Sequence, residues 1–257
     1  MASSDRFGFV WKRYPAIVPE YELQFRAWVA PLSPEAFQGK RVLDAGCGTG
    51  RNAFWALQYG ASEVVAFDLD EQTVQVAKEN LSPRAKVVRA SIYEIEFENE
   101  FDIVFSIGVI HHLKHPQQAV ANLVRAARSG GTVLVWVYSR EGHTGLKMTL
   151  NAIRQFTSKL PVALVHVLTY PFSFLFFLYL RSRFFSPRHP YLHLLRTARV
   201  WHVHSILLDQ LLPAISHYWT REEALALFDG LPVRDLQIRF CNEGSWTLWA
   251  QRKVNGE

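Results

Sequence analysis

The most constraining feature of the sequence is the stretch at residues 42–50, VLDAGCGTG. Its apolar start predicts a strand, and the apolar-rich residues 52–57 behind it predict a helix. Between them, Gly46, Gly48 and Gly50 permit a tight turn on which a ligand can lie directly against the backbone. The helix that follows directs its positive N-terminal end into the same space. The stretch therefore predicts a strand, a ligand-binding turn and a helix.

The spacing of the glycines separates two kinds of nucleotide-binding turn. Dinucleotide enzymes use G-x-G-x-x-G and place a pyrophosphate at the helix N-terminus. This chain has G-x-G-x-G, and Asp44 stands two residues before the first glycine. A carboxylate at that place would repel a pyrophosphate, whereas it suits a ligand with an ammonium group.

Residues 44–50 resemble motif I of the class I S-adenosylmethionine-dependent methyltransferases. Two further segments lie at the spacing of that family: VVAFD at 64–68, which ends in an acid, and FDIVFSIGVIHHL at 101–113. The resemblance implies a Rossmann-like, doubly wound α/β fold with a seven-stranded, mostly parallel sheet and a C-terminal antiparallel strand pair. It also implies S-adenosylmethionine as cofactor and S-adenosylhomocysteine as product. A nucleotide-binding α/β domain of another kind is the alternative.

The same resemblance assigns the cofactor contacts. Asp44 and Gly46 would hold the methionine end, and Asp68 would accept hydrogen bonds from both ribose hydroxyls. Ser91 stands where many relatives carry an acid for the adenine amino group, and a hydroxyl accepts that bond less strongly. The predicted cofactor-binding residues of the strands and turns are Asp44, Gly46, Cys47, Gly48, Asp68, Leu69, Ser91, Ile92 and Ile107.

The N-terminal segment is aromatic. In the family that the chain resembles, the segment before the first strand commonly folds over the cofactor cleft. Trp11 or Tyr14 would then cover the sulfonium, because a cation over an aromatic face is favourable by ~0.5–2 kcal/mol. The alternative is that these aromatic rings anchor the N-terminal segment to the core. This segment, residues 7–14, comes before any regular pattern in the sequence.

The pattern alternates between strands and helices from residue 40 to residue 138, which predicts a parallel sheet with helical crossovers. Strands are predicted at 41–44, 64–68, 86–89, 102–106 and 132–138, and helices at 52–59, 71–81 and 117–128, the last ended by Ser129-Gly130-Gly131. A capping box at 220–223 opens a helix at 224–228, and two strands follow at 233–240 and 246–251. The predicted units are an N-terminal cap (1–39), the core (40–139 and 220–257) and a helical insertion (140–219).

Histidines follow the fourth predicted strand, near the place where a methyl group would be delivered. His111 or His112 could take a proton from an attacking hydroxyl or amine, an effect worth roughly 10²–10⁴ in rate. Shaping of the helix start is the alternative. Asp209, His217 and Tyr218 lie at the junction between insertion and core and are further candidates for contact with the acceptor, with structural hydrogen bonds as the alternative.

The insertion contains an apolar run without Lys, Arg, Asp or Glu at residues 160–180. Its length reaches the ~20 residues of a membrane span. Pro161, Pro171 and the polar His166, Thr169 and Ser173 count against a span, as does an enzyme domain on both sides. A lid over the substrate, a membrane-surface contact through 160–183 and a true span remain open.

Basic charge collects in the same region. Residues 140–204 hold nine Lys or Arg against one acid, and six of the ten histidines of the chain. Apolar and basic character together suit an acceptor with an apolar body and an acidic group, or an anionic membrane. His189, His193, His202 and His204 have no cluster of Cys or acids beside them, so we predict no metal.

Composition narrows the function further. Two cysteines, at 47 and 241, indicate no disulfide framework, and the start of the chain carries no signal peptide pattern, so we expect a cytoplasmic protein. The segment after the fourth strand lacks Asn- or Asp-Pro-Pro-Tyr, which argues against amino methylation of nucleic acid. The prediction is methyl transfer to a small, hydrophobic molecule at a hydroxyl, amine or activated carbon. The alternatives are a membrane-surface methyltransferase that acts on a lipid or quinone-like acceptor and a non-catalytic cofactor-binding protein.

Overall fold

The computed structural model describes residues 3–142, 144–182 and 195–254, with side chains omitted at 3–5 and 144–148. In this described part, seven strands form one sheet in the order β3-β2-β1-β4-β5-β7-β6. The first five strands are parallel, and β7 runs antiparallel to both β5 and β6. The strands are β1 Arg41–Ala45, β2 Glu63–Asp68, β3 Lys86–Arg89, β4 Phe101–Ile107, β5 Ala127–Tyr138, β6 Val233–Cys241 and β7 Ser245–Arg252. The predicted fold class is confirmed.

Helices cover both faces of this sheet, which explains why its central strands are apolar on both sides. Val42 and Leu43 of β1 are both fully buried, and each belongs to a different apolar cluster. Phe101 and Leu248 pack in the cluster of Leu43. The helices are α1 Ser3–Arg13, α2 Glu20–Trp28, α3 Arg51–Gln58, α4 Glu71–Leu81, α5 Pro116–Ala126, α6 Thr144–Thr157, α7 Val162–Arg181, α8 Val200–Asp209 and α9 Arg221–Leu225.

Helix α1 corrects the expectation that no regular structure precedes α2. It is held by Arg6, whose guanidinium donates to the carbonyls of Leu212, Leu160 and Thr157 at 3.1, 2.7 and 2.8 Å. Arg6 is only 4% exposed, so these three bonds replace its water shell. The partners lie more than 150 residues away along the chain, which is why local periodicity gave no sign of this helix.

The end of α5 differs from the prediction as well. The helix ends at Ala126, and the Ser-Gly-Gly segment lies inside β5 instead of stopping the helix. Pairing between β4 and β5 shifts register there, between Phe101 and Ile103. Gly131 approaches the carbonyl of Phe101 so closely that a Cβ would lie 2.8 Å from that oxygen. A residue without a side chain is needed for the close approach of two strands, not for a helix stop.

The helical insertion leaves and rejoins the sheet at one place. Ser139 pairs with Trp219, and the Arg140 amide donates to the Trp219 carbonyl at 2.8 Å. Between these points run α6, α7 and α8, and α7 packs on α8 and on Val10 of α1. The chain then enters α9 through the predicted capping box, in which Thr220 and Glu223 exchange side-chain to backbone bonds at 2.9 and 3.3 Å.

Candidate active site

A cavity of about 570 Å³ opens at the carboxyl ends of the parallel strands. Its floor is the glycine turn after β1 and the ends of β2 and β4, and its walls come from α1 and α8. This is the position at which doubly wound sheets bind ligands, since the strand order reverses there. The predicted site residues that line the cavity are Trp11, Gly46, Cys47, Gly48, Asp68, Leu69, Ser91, Ile92, Ile107, His112 and Asp209.

The glycine turn is held open to the cavity by its backbone conformation. Gly46 and Gly48 have φ of 78° and 55°, the left-handed region in which a side chain is strained. A Cβ on Gly46 would also collide with the side chain of Val109. The Gly46 and Cys47 amides both donate to the Phe67 carbonyl at 2.9 Å, which ties the turn to β2. Trp11 closes the turn from above, with its Nε1 3.6 Å from where a Cβ on Gly48 would lie.

Asp68 ends β2 and turns its carboxylate into the cavity. Its Oδ2 accepts from the Gly48 amide at 3.0 Å, and its Oδ1 accepts from the Asp70 amide at 3.2 Å. Burial raises the pKa of the Asp68 carboxyl, and these amide bonds partly oppose the rise. Each oxygen keeps a second lone pair, so the group can accept two further hydrogen bonds from a bound diol.

Asp44 lies beneath the turn and outside the cavity lining. Its side chain is fully buried, its Oδ2 accepts from the Ala53 amide of α3 at 3.0 Å, and its Oδ1 has no hydrogen-bond partner. Burial raises the pKa of this carboxyl to about 8. A cation bound above the turn would favour the ionised form, so the orphaned oxygen fits a positively charged ligand.

The far end of the cavity is apolar with one hydroxyl. Leu69 and Ile92 line it, and Ile92 is 7% exposed. The Ser91 hydroxyl lies beside them and accepts from the Tyr93 amide at 3.3 Å. The slot between β2 and β3 therefore offers apolar walls and one polar atom, which suits a flat heterocycle.

His112 faces the same cavity from the short helical turn after β4. Its Nδ1 lies 2.8 Å from the Ile215 carbonyl, and a carbonyl only accepts, so Nδ1 carries the proton. The lone pair is then on Nε2. Desolvation lowers the pKa of His112 to about 4, so the ring is neutral near pH 7 and the Nε2 lone pair is unprotonated.

His111 lies outside the cavity lining. It is fully buried, its ring stacks on Tyr138 with centroids 3.7 Å apart, and neither ring nitrogen has a hydrogen-bond partner. Desolvation holds the pKa of His111 well below its usual value. The arrangement supports packing of the turn that carries His112.

The junction between insertion and core contributes Asp209 to the cavity. Its Oδ1 is buried without a hydrogen-bond partner, and desolvation raises the pKa of Asp209 to about 7. The side chain of its neighbour Gln210 donates to the Tyr138 hydroxyl at 3.1 Å. Gln210 also accepts two hydrogen bonds from Arg154 of α6, one at the Gln210 backbone carbonyl and one, at 3.0 Å, at the Gln210 Oε1. Arg154, which is 4% exposed, thus fixes the wall that carries Asp209.

Three other predicted residues are placed away from the cavity lining. His217 bonds through Nε2 to the Leu113 carbonyl at 2.9 Å, and the Tyr218 hydroxyl accepts from Arg154 at 2.8 Å. Tyr14 stacks on Trp201 of α8 at 6.0 Å between centroids. The His217 contact joins the insertion to the core, the Tyr218 contact lies within the insertion, and the Tyr14 contact joins α8 to the residue that follows α1. The three side chains therefore hold the walls of the site together.

Arg51 is a site residue that the sequence analysis missed. It is the first residue of α3 and lines the cavity, where its guanidinium lies 5.6 Å from the ring of Trp11, 5.0 Å from Tyr21 and 5.5 Å from Trp28. Tyr21 and Trp28 are buried residues of α2, and no local pattern in the sequence indicates that they meet an arginine. This cation beside the glycine turn is suited to a carboxylate of the ligand.

The described residues contain no group of three or more His, Cys, Asp or Glu placed to hold a metal ion. His204 bonds through Nε2 to Nδ1 of His166 at 2.8 Å, inside the packing of α7 on α8. Two residues of the metal argument, His189 and His193, lie outside the described part of the chain.

A family profile described as "Methyltransferase domain" matches residues 43–135, which run from β1 to β5 and carry the glycine turn, Asp68 and His112. Over residues 43–135, the chain matches the class I S-adenosylmethionine-dependent methyltransferase family. S-adenosylmethionine is the cofactor of this methyltransferase family. The residues present fit it: a free diol acceptor at Asp68, an orphaned carboxyl oxygen at Asp44 and an apolar slot at Ile92.

Known relatives of the methyltransferase differ in what they act on. The ribosomal protein L11 methyltransferase of Thermotoga petrophila is 49% identical over 71 residues, which are 27% of this chain and 27% of that protein. The ubiquinone biosynthesis O-methyltransferase of Thiobacillus denitrificans is 32% identical over 130 residues, 49% of this chain and 55% of that protein. The matches thus span about half or less of these relatives. The magnesium protoporphyrin IX methyltransferase of Synechocystis, solved with S-adenosylhomocysteine bound, has the same fold, with a TM-score of 0.54, 14% identity and coverage of 97% and 94%.

Proposed function

We propose that this chain transfers the methyl group of S-adenosylmethionine to a small, apolar acceptor with a hydroxyl, amine or activated carbon. The observation that carries the proposal is the continuity of the cavity from Asp68, across the glycine turn, to His112 and α8. Beyond the turn, its walls are mostly apolar: Phe7, Trp28, Val109, Leu113 and Ile206 line it. Such walls favour an acceptor with an apolar body.

The protein contributes alignment and one proton acceptor to this reaction. S-adenosylmethionine, when bound, supplies a methyl group made reactive by its sulfonium. Asp68 and the glycine turn fix one side of the site, and positioning of this kind accounts for ~7–11 kcal/mol of a barrier. His112 is the residue placed to take a proton from the acceptor, because the Ile215 carbonyl holds Nδ1 and leaves Nε2 available.

Walls from α1 and α8 favour a small acceptor over a macromolecule. Trp11 closes the glycine turn, and Ile206 and Asp209 of α8 narrow the other side. A base or a protein side chain would have to pass these walls, whereas a small molecule needs only the volume inside. The missing Asn- or Asp-Pro-Pro-Tyr segment after β4 is a second argument against amino methylation of nucleic acid.

Two assays test the proposal in turn. Calorimetric titration should give micromolar binding of S-adenosylmethionine and S-adenosylhomocysteine and none of NAD. Transfer of a labelled methyl group is then measured to apolar alcohols, phenols and amines, and separately to total RNA and to ribosomal protein. Transfer to RNA or protein alone would refute the acceptor class. Cofactor binding without transfer to any acceptor would favour a non-catalytic cofactor-binding protein.

A further inference from the structure

Helix α7 exposes an apolar face, and its buried face is partly polar. Its buried face carries His166, Thr169 and Ser173, which are 8%, 6% and 0% exposed. These positions are three and four residues apart, so they share one face. The opposite face is apolar and open: Val167, Leu168, Phe172, Phe174, Leu175 and Tyr179 are between 48% and 70% exposed. Surface helices of soluble domains have the reverse distribution.

The polar face is used to dock α7 on α8. The Ser173 hydroxyl lies 2.8 Å from Nδ1 of His204, and Nε2 of His204 lies 2.8 Å from Nδ1 of His166. Thr169 donates to the Val165 carbonyl of its own helix at 2.7 Å. Rotation of α7 would break this buried network, so the apolar face is held outward.

The surroundings of this face are basic. Lys159 precedes α7, Arg181 ends it, and the exposed Arg196 and Arg199 precede α8. The sequence has no Asp or Glu from residue 142 to residue 208. An anionic lipid surface complements an apolar face with cations around it. A second copy of the same face would bring cation against cation with no acid to pair them, so self-association is disfavoured.

We propose that the outward face of α7 lies on the surface of an anionic lipid bilayer, with the helix axis in the membrane plane. Among the described residues, α7 is the one helix long and apolar enough to cross a membrane, and 28% of its most apolar window is buried. The in-plane position follows from its contacts, because α8 is fixed to the inner face of α7 and also lines the cavity through Ile206 and Asp209. A crossing helix would draw α8 and the sheet domain into the hydrocarbon, where their polar groups have no partners.

Vesicle sedimentation tests the proposal with the intact protein. Phosphatidylglycerol–phosphatidylcholine vesicles are compared with pure phosphatidylcholine vesicles, at low and at physiological salt. The triple variant Val167→Glu, Phe172→Glu, Leu175→Glu changes only side chains that are at least 63% exposed. Leu23→Glu on α2, 59% exposed, is the matched control for an acidic residue at an exposed apolar position.

We expect the wild type to sediment with the anionic vesicles, and less at higher salt. The triple variant should lower the partition coefficient by more than about tenfold, since binding scales with buried apolar area, and Leu23→Glu should leave it unchanged. Lys159→Gln with Arg196→Gln should lower it by about 5-fold for each charge removed, on anionic vesicles only. Calorimetry with S-adenosylhomocysteine, or circular dichroism if it does not bind, checks that each variant is folded.

Absence of wild-type sedimentation at low salt would overturn the proposal. The same holds for sedimentation that the triple variant retains, because the lipid contact would then lie elsewhere. Light scattering measures the third outcome: a dimer that the triple variant converts to a monomer, without any vesicle binding, would assign the face to a second copy of the chain.

Discussion

Replacing Asp68 with alanine removes the carboxylate that faces the cavity between the glycine turn and β3. Its two oxygens each use one lone pair on a backbone amide, at Gly48 and Asp70, and keep one for a ribose hydroxyl. Hydrogen bonds to a charged group contribute ~1.5–3 kcal/mol each, so loss of two weakens binding by about 3 kcal/mol at the lower bound. That corresponds to about 150-fold in Kd.

Calorimetric titration at pH 8 measures this loss with both adenosyl ligands. S-adenosylmethionine and S-adenosylhomocysteine share the ribose, so Asp68→Ala should weaken them by the same factor. Burial raises the pKa of Asp68, so its protonation at low pH should reduce wild-type affinity, and Asp68→Asn should lack this pH dependence. Asp70→Ala is the matched control. It removes the side-chain cap on the Thr73 amide of α4, which costs ~1 kcal/mol of stability. The Kd of both adenosyl ligands should stay unchanged in this variant. A change of less than threefold for Asp68→Ala would refute the ribose assignment.

Three further predictions concern the turn, the base and the insertion. Gly46→Ala should abolish cofactor binding and destabilise the fold by ~1–2 kcal/mol, measured by urea unfolding, because the new Cβ meets Val109 and the φ is left-handed. His112→Gln should lower kcat by roughly 10²–10⁴ without changing cofactor Kd, while the exposed His115→Gln changes neither; unaltered kcat for the first would exclude it as the base. The unfolding free energy of the wild type minus that of a His202→Gln, His204→Gln variant should fall as pH drops from about 6.5 towards 4, because this difference cancels the opposing contribution of Asp44 and Asp209, whose pKa burial raises. The fall is up to ~1.4 kcal/mol per pH unit for each histidine whose folded pKa is depressed. Such histidines include His202 and His204, because burial lowers the pKa of each to about 4. The unfolded chain therefore takes up protons first as the pH falls. If chemical unfolding gave a flat pH profile for this difference in that window, the prediction would be contradicted.

The cofactor side of the site was predictable because it is built from local sequence. The turn, Asp68 and Ser91 each follow the end of a strand, and the parallel order brings strand ends to one edge of the sheet. The position of Asp44 was less predictable. Whether the carboxylate faces the cavity or the Ala53 amide depends on how α3 packs, which the motif alone does not determine.

The walls of the site were less predictable because their contacts join distant parts of the chain. Arg154 bonds to residues 56 and 64 positions away, and in the sequence it was only one of nine cations. His217 and Tyr218 were placed near the acceptor from their position at a junction. The structure does place both residues at this junction. The directions of their side chains depend on partners such as Arg154 and Leu113, which the sequence does not reveal.

In helix α7, the number of polar residues and the face on which they lie lead to different conclusions about a membrane span. His166, Thr169 and Ser173 entered the sequence argument as three polar residues against a membrane span. Their spacing of three and four also states that they share a face, and burial of that face against α8 explains their presence without a span. A lid and a membrane contact are then compatible. The inner face of α7 supports the helices that border the cavity, while the outer face is free to meet a bilayer that could hold an apolar acceptor.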